Sequence, residues 1–370
     1  MSRMPSRRRG FALPVAVFAI VIIGALVGGA FFASTQEFRI GTNTLQQTRA
    51  LGAAEFGLNQ TQANWNGRWN TSMQRGQIQT ITPATSDGSV ATVRVTRLND
   101  QAFLIAAEGR SGQARRRTAK LLVLNLPQIN FLAALTARGG TRIGGSSFID
   151  GTDHTYPGWD CPAAGAAMPG IAASDTSQIT TSGCSNYSCI TGNPKVVEDP
   201  AAADTNTYFS FGSIGWAELR AMANKIVSGN IQGIGPSVIS GQCNESDFKN
   251  FGEPWKGTGA PCTNYYPIIY SSGDLILNTG RGQGILLVEG NLEVQGGFEF
   301  YGPVIVRGTL RTAGGGGHFN GGVLAANVEL DQNVVIGNAV ISYSRCAILK
   351  ALNGSATPTT AVERAWYEVY

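Results

Sequence analysis

The amino-acid sequence predicts an α+β protein in three parts. A long N-terminal helix, transmembrane at first and then amphipathic, leads into a small antiparallel sheet. A β-solenoid, right- or left-handed, follows and carries a disulfide-rich insertion. Three observations carry this. Residues 11–33 form an uncharged apolar run. Residues 77–126 alternate apolar and polar side chains with the period of a strand. In the C-terminal third, short β-rich runs open at Ile268, Ile285, Val304, Val323 and Val340, at intervals of 17, 19, 19 and 17 residues. The division that follows is a leader at 1–10, helix at 11–70, sheet at 77–126, a first solenoid rung at 131–151, a Cys-rich insertion at 152–266, solenoid at 267–345 and a C-terminal cap or tail at 346–370.

Composition narrows the class. Charged residues make up 14% of the 370, against about 25% in ordinary soluble domains, and 48 are glycine, the residue of tight repeated turns. Arg3, Arg7, Arg8 and Arg9 account for the whole net charge of +4, so the rest of the chain has no basic excess and no nucleic-acid partner is implied. The triplet Arg115, Arg116 and Arg117 reads as the solvated face of a strand.

At about 1.5 Å per residue, the 23 residues from Phe11 to Ala33 make a helix about 35 Å long, enough to cross a hydrocarbon layer of about 30 Å. Arginines before the run place the N-terminus in the cytoplasm and the remainder outside. Two fates follow from the residues themselves: an export peptidase could cut after Ala30, where Gly28 and Ala30 are small, or the segment could stay as an uncleaved anchor. The twin-arginine export pattern is out of register, since Gly10 stands where a phenylalanine is required. Pro14 suits a first helical turn, where its missing N–H has no helical acceptor. Gly24 and Gly28 give the G-x-x-x-G spacing that lets a second helix approach. Leu51, Ala54, Leu58, Trp65 and Trp69 then recur at helical steps and mark the amphipathic half.

A basic leader ending in Gly10, with Phe11 opening an apolar helix, resembles a type IV prepilin. Ala54, Glu55, Phe56 and Gly57 resemble the PilX-type N-terminal region, and the likeness covers roughly the first 125 residues. It implies cleavage after Gly10 by a prepilin peptidase, methylation of Phe11, and an inner-membrane helix with the C-terminal region periplasmic until assembly brings it to a pilus or the cell surface. The partners it implies are other pilins or pseudopilins, met through the helix. Val15 stands where most pilins carry a glutamate, a departure shared with special minor pilins such as the GspK type of type II secretion. Together with the bulk of the outer region, it implies a minor subunit of a pilus or secretion pseudopilus, tip-proximal or initiating assembly.

Val93 and Val95 alternate with Thr92, Arg94 and Thr96, Asn99-Asp100 supplies a turn, and two further runs follow, giving an antiparallel meander. In the repeat, Gly290–Val294 matches Gly308–Thr312 and Glu299–Gly302 matches His318–Gly321, while residues 135–151 align without gaps to 286–302. A period near 18 suits one coil of a β-solenoid and resembles bactofilin-like polymer-forming solenoids in rung length. Glu293 and Arg311 are expected to stack in adjacent rungs, within a surface charge ladder that includes Glu289, Glu299 and Arg307. The cluster at 280–284 reads as a corner, and 216–226 as a short helix in the insertion.

Cys161, Cys184, Cys189, Cys243, Cys262 and Cys346 all follow the apolar run; six in an exported region imply disulfides, with Cys243–Cys262 favoured because it brackets a turn-rich segment. Asp150, Asp153, His154 and Asp160 match no calcium loop and read as solvated loop acids. No catalytic motif is present, and the expectation is no enzyme, no cofactor and no metal. The second reading is a membrane-anchored surface solenoid that binds glycan or cell wall without a pilus role.

Overall fold

The computed structural model describes residues 11–159, 161–254, 259–327, 333–361 and 366–369. The leader with Gly10, and Asp160, lie outside them. The molecule is α+β: a long apolar helix, a small antiparallel sheet, and a large parallel sheet curled into a solenoid.

Helix α1 runs unbroken over Ala12–Ala63, and only its last part is covered, through Ala50, Ala53, Ala54, Gly57, Leu58 and Thr61. These residues lie against strands β2 (Val90–Arg97), β3 (Ala102–Ser111) and β4 (Ala114–Asn125), with β1 (Ile78–Ile81) outermost. The buried stripe is rotated from the one the large residues suggest, since Leu51 is only half-buried. Small residues set this face because the helix backbone reaches the sheet: a Cβ on Gly109 of β3 would stand 1.9 Å from the Ala50 carbonyl oxygen. The helix ends at Ala63, a turn follows, and α2 (Trp69–Ser72) brings Trp69 edge-on to Trp65, whose Nε1 donates to Asn70 Oδ1 at 2.8 Å. Of the arginine triplet, Arg117 pairs with Glu108 at 2.6 Å and Arg116 donates to Gln47 on the helix.

The C-terminal tail differs from a simple cap. Strands β5 (Thr357–Thr360) and β6 (Trp366–Val369) both pair antiparallel with β4, so the solenoid is inserted between two strands of the small sheet. Pro358 is tolerated because β5 is an edge strand.

Each solenoid coil lays a short strand on three faces. On the first face the stacking order is 225–227, 269–271, 286–288, 304–306, 323–325, 135–137, 171–173 and 196–198. The chain therefore enters in mid-stack, winds outward, crosses to the opposite end, and winds back until Val323 pairs with Leu135. The segment 152–266, expected as a loop-rich insertion, accordingly supplies strands at both ends of the stack. The five residues that open the repeat do not form one row: Ile268 stacks on Ile285 on the outer side, Val304 stacks on Leu286 and Val323 facing the interior, and Val340 joins neither. It pairs with His318 and Phe148 on the third face; seven residues separate 325 from 333 where three separate 306 from 310, which shifts the spacing of this coil. The 280–284 cluster is a third-face strand, Arg281–Gln283 on 299–301, with the corners at Gly280 and Gly284, whose φ values are +119° and +115°.

Inward residues such as Leu286, Val304, Val323 and Leu135 fill the interior. The outer side of the first face is also apolar: Leu287, Ile305 and Leu324 are covered by the short helix Trp216–Ala221 and by α3 (Arg345–Ser355). Two-sided burial explains why Ile285–Val288 is an unbroken apolar run. At one end, Lys225 donates from Nζ to the carbonyl oxygens of Glu245 and Asp247; burial pulls its pKa down, against the pull of Asp247 and Glu245. Disulfides join Cys161 to Cys346, Cys184 to Cys189 and Cys243 to Cys262.

Candidate functional site: the uncovered half of the long helix

Among the described residues, 11–41 are exposed throughout and burial begins only near the sheet, and the 38 residues from Ala12 to Arg49 project about 57 Å. Phe11 is 78% exposed and Val15 58%. By length and composition the helix is capable of crossing a membrane. Pro14 sits in its first turn, and side chains built at Gly24 or Gly28 would meet nothing within 4 Å, so the glycine surface is open to a neighbour.

A second feature straddles the end of the apolar run, where the first charged side chains of the helix, Glu37 and Arg39, appear. Phe31, Phe38 and Leu45, spaced seven apart, are 70%, 73% and 50% exposed. Seven residues are nearly two helical turns, so the three share one face, with the small drift that a left-handed pair of helices absorbs. Ser34 and Gly41 lie between them and leave room for a neighbour's side chains. This row was missed in reading the sequence, although its spacing is visible there once the polar residues around it are set aside.

The residues weighed for chemistry are elsewhere and are engaged with one another. Glu293 and Arg311 are side by side in adjacent coils, and Glu293 accepts from Gln295. Glu289 accepts from Arg307, from Trp216 Nε1 at 3.0 Å and from the Tyr270 hydroxyl at 3.4 Å, which ties the short helix to the first face. Glu299 binds Arg281 at 2.8 Å and accepts from the Tyr301 hydroxyl at 2.6 Å. Burial raises the Asp150 carboxyl, but hydrogen bonds from Thr191, Thr152 and His154 outweigh it and leave the pKa lowered. Asp153 is not a solvated loop acid: it is buried, and its oxygens accept from the backbone N–H groups of Gly165 and Arg345, with the Arg345 guanidinium 3.6 Å away. Among the described residues no group of three or more His, Cys, Asp or Glu is placed to hold a metal ion.

No protein-family model and no curated protein matches the sequence. Among solved structures, the competence-associated pilin ComZ from Thermus thermophilus is similar at 13% identity over 88% of this chain and 97% of that one. The TM-score is 0.27, too slight a likeness to transfer an arrangement.

Proposed function

We propose that this chain is a minor pilin-like structural subunit of a type IV pilus or type II secretion pseudopilus, held in the inner membrane by residues 11–33 and carrying its sheet and solenoid on the periplasmic side. The observation that carries the reading is the division of α1: one unbroken 52-residue helix, folded onto a sheet at one end and uncovered and apolar at the other. A bare apolar helix of this length needs lipid or other helices around it, and it meets each in turn if the subunit passes from a bilayer into a filament. The row at Phe31, Phe38 and Leu45 supports helix partners in particular, since at about 1.5 Å per residue Leu45 lies some 18 Å beyond Ala33 and outside the span. Val15 leaves the subunit without a carboxylate to pair with a neighbour's amino terminus. With the bulk of the solenoid, this supports a tip-proximal or assembly-initiating place over a repeating one. The role is structural rather than enzymatic.

Mass spectrometry of the N-terminal peptide tests the reading. The expected start is Phe11, N-methylated, after removal of the leader at Gly10 by a prepilin peptidase. A start at Phe31, or retention of Met1, would overturn the pilin assignment. Position is tested separately by imaging labelled subunits: even distribution along a shaft would remove the tip placement and leave the pilin reading standing.

A further inference from the structure

A cleft of about 940 Å³ opens where the small sheet, the solenoid and α3 meet. One wall is the segment from Asn70 to Arg75 that follows α1, the second is made by Gly158, Trp159, Cys161 and Pro162, and the third is α3 with Leu349, Lys350 and Asn353. The walls are held in place. The Cys161–Cys346 disulfide joins two of them, and Asn70 joins the first to the third by donating from Nδ2 to the carbonyl oxygens of Asn353 and Ala356, both at 2.9 Å.

The lining has a distinct chemistry. The Trp159 indole is fixed before any ligand arrives: its Nε1 donates to the Pro254 carbonyl at 2.9 Å, and its ring packs against Tyr156 and Tyr301 at 5.5 and 5.4 Å. Tyr156 in turn donates to Asn320 and Tyr301 to Glu299. Burial raises both phenols, so the platform carries no phenolate charge. Tyr266 supplies a second aromatic ring, and carboxamides come from Gln74 and Asn264. Gln283, wholly buried, donates from Nε2 to the carbonyls of Thr263 and Tyr265, while its Oε1 has no hydrogen-bond partner in the structure. Arg97 is paired with Asp100 inside the lining, and Arg75 and Lys350 add N–H donors from which a hydroxyl oxygen can accept.

Preorganised aromatic rings beside neutral amides, in a cleft of small-ligand size, suit a molecule with apolar C–H faces and a periphery of hydroxyls. We propose that this cleft is a binding site for a neutral oligosaccharide, with Trp159 as the stacking platform and Gln74 and Asn264 as hydroxyl partners. The site is built by the junction of the units rather than by the outer faces of the solenoid, and it does not depend on the pilus reading.

The test is isothermal titration of the full chain in a detergent without a sugar head group. The probes are β-1,4-linked glucose and N-acetylglucosamine hexamers and an α-1,4-linked glucose hexamer. At least one probe is expected to bind with Kd below about 1 mM. Trp159→Ala is expected to weaken that binding at least about tenfold, as removal of a central aromatic anchor does. If Trp159→Ala disturbs its loop, Gln74→Ala, which changes an exposed side chain, decides the matter with a loss of several-fold. Absence of heat with every probe at about 1 mM overturns the proposal. So does binding that neither variant changes, which would place the sugar elsewhere.

Discussion

Replacing Gly109 by alanine tests the junction on which the long helix depends. The position has an ordinary strand backbone, so the effect is steric alone. The new methyl would stand 1.9 Å from the Ala50 carbonyl oxygen and 2.6 Å from the Ala54 amide nitrogen, both backbone atoms that no side-chain rotation moves. Ordinary C···O approach is about 3.3 Å or more, so the helix must retreat by over about 1 Å. It would loosen Ala50, Ala54 and Leu58, which are now fully or almost fully buried. Overpacking costs about 1–3 kcal/mol, and a backbone-to-backbone clash that also uncovers a leucine belongs near 3. Gly52 is the control: a methyl there meets nothing within 4 Å, and alanine in an exposed helical position should stabilise by up to about 1 kcal/mol. Hydrogen exchange of amides 50–61 in the full chain reads both changes. We expect about a hundredfold faster exchange in Gly109→Ala, at about 1.4 kcal/mol per tenfold, and equal or slower exchange in Gly52→Ala. Exchange within twofold of the parent in Gly109→Ala would refute the close approach of helix and sheet.

Other perturbations reach different parts of the molecule. Asp153→Asn removes the charge from two backbone hydrogen bonds and from Arg345; each bond to a charged group is worth about 1.5–3 kcal/mol, so proteolysis within 152–169 should accelerate at least about tenfold, and an unchanged digest would remove Asp153 from that role. The Arg117 and Arg110 guanidiniums hold Glu108 below its ordinary value, so its contribution is present above the usual carboxylate range and is lost as pH falls through the lowered folded pKa. Glu108→Gln should flatten the acid limb of β3–β4 protection, and an acid limb identical in the variant would assign it to other groups. Joint replacement of Cys243 and Cys262 by serine opens a loop with a sequence separation of 19 and should destabilise that segment by about 3 kcal/mol, measured as a lower urea midpoint for its local unfolding. Deleting residues 357–370 exposes the edge of β4, and the expected outcome is faster exchange at 117–124 together with aggregation; a monomeric, equally protected variant would show that β5 and β6 are dispensable.

What the sequence shows is what local periodicity encodes. The apolar run, the alternation around Val93 and Val95, and the pairing of Leu292 with Leu310 all follow from patterns within a few residues or one coil. What it hides depends on distant partners. Thr357–Thr360 carries a proline and no alternation, and only its register against β4 makes it a strand. The coil containing Ile171 and Ile190 has no constant spacing to its neighbours because loops lengthen its corners. Asp153 looks like a loop acid until Arg345, 192 residues away, comes beside it. At the candidate site the apolar run, Pro14 and the glycines were legible. The seven-residue row of Phe31, Phe38 and Leu45 was not picked out, because its residues are separated by polar turns that dominate the local composition.

The insertion of the solenoid between β4 and β5 fixes an order of events during synthesis. The ribosome delivers α1 and β1 to β4 first, and the bonding edge of β4 then stays open while every coil of the solenoid is made. Only when residues 357–360 arrive can that edge close, and they arrive tethered to α3, which packs on the coils of the solenoid. A chain that stops early, or whose coils fail to stack, is left with an open strand beside its long helix. The small sheet is thus closed by strands made after the solenoid that lies between them and β4.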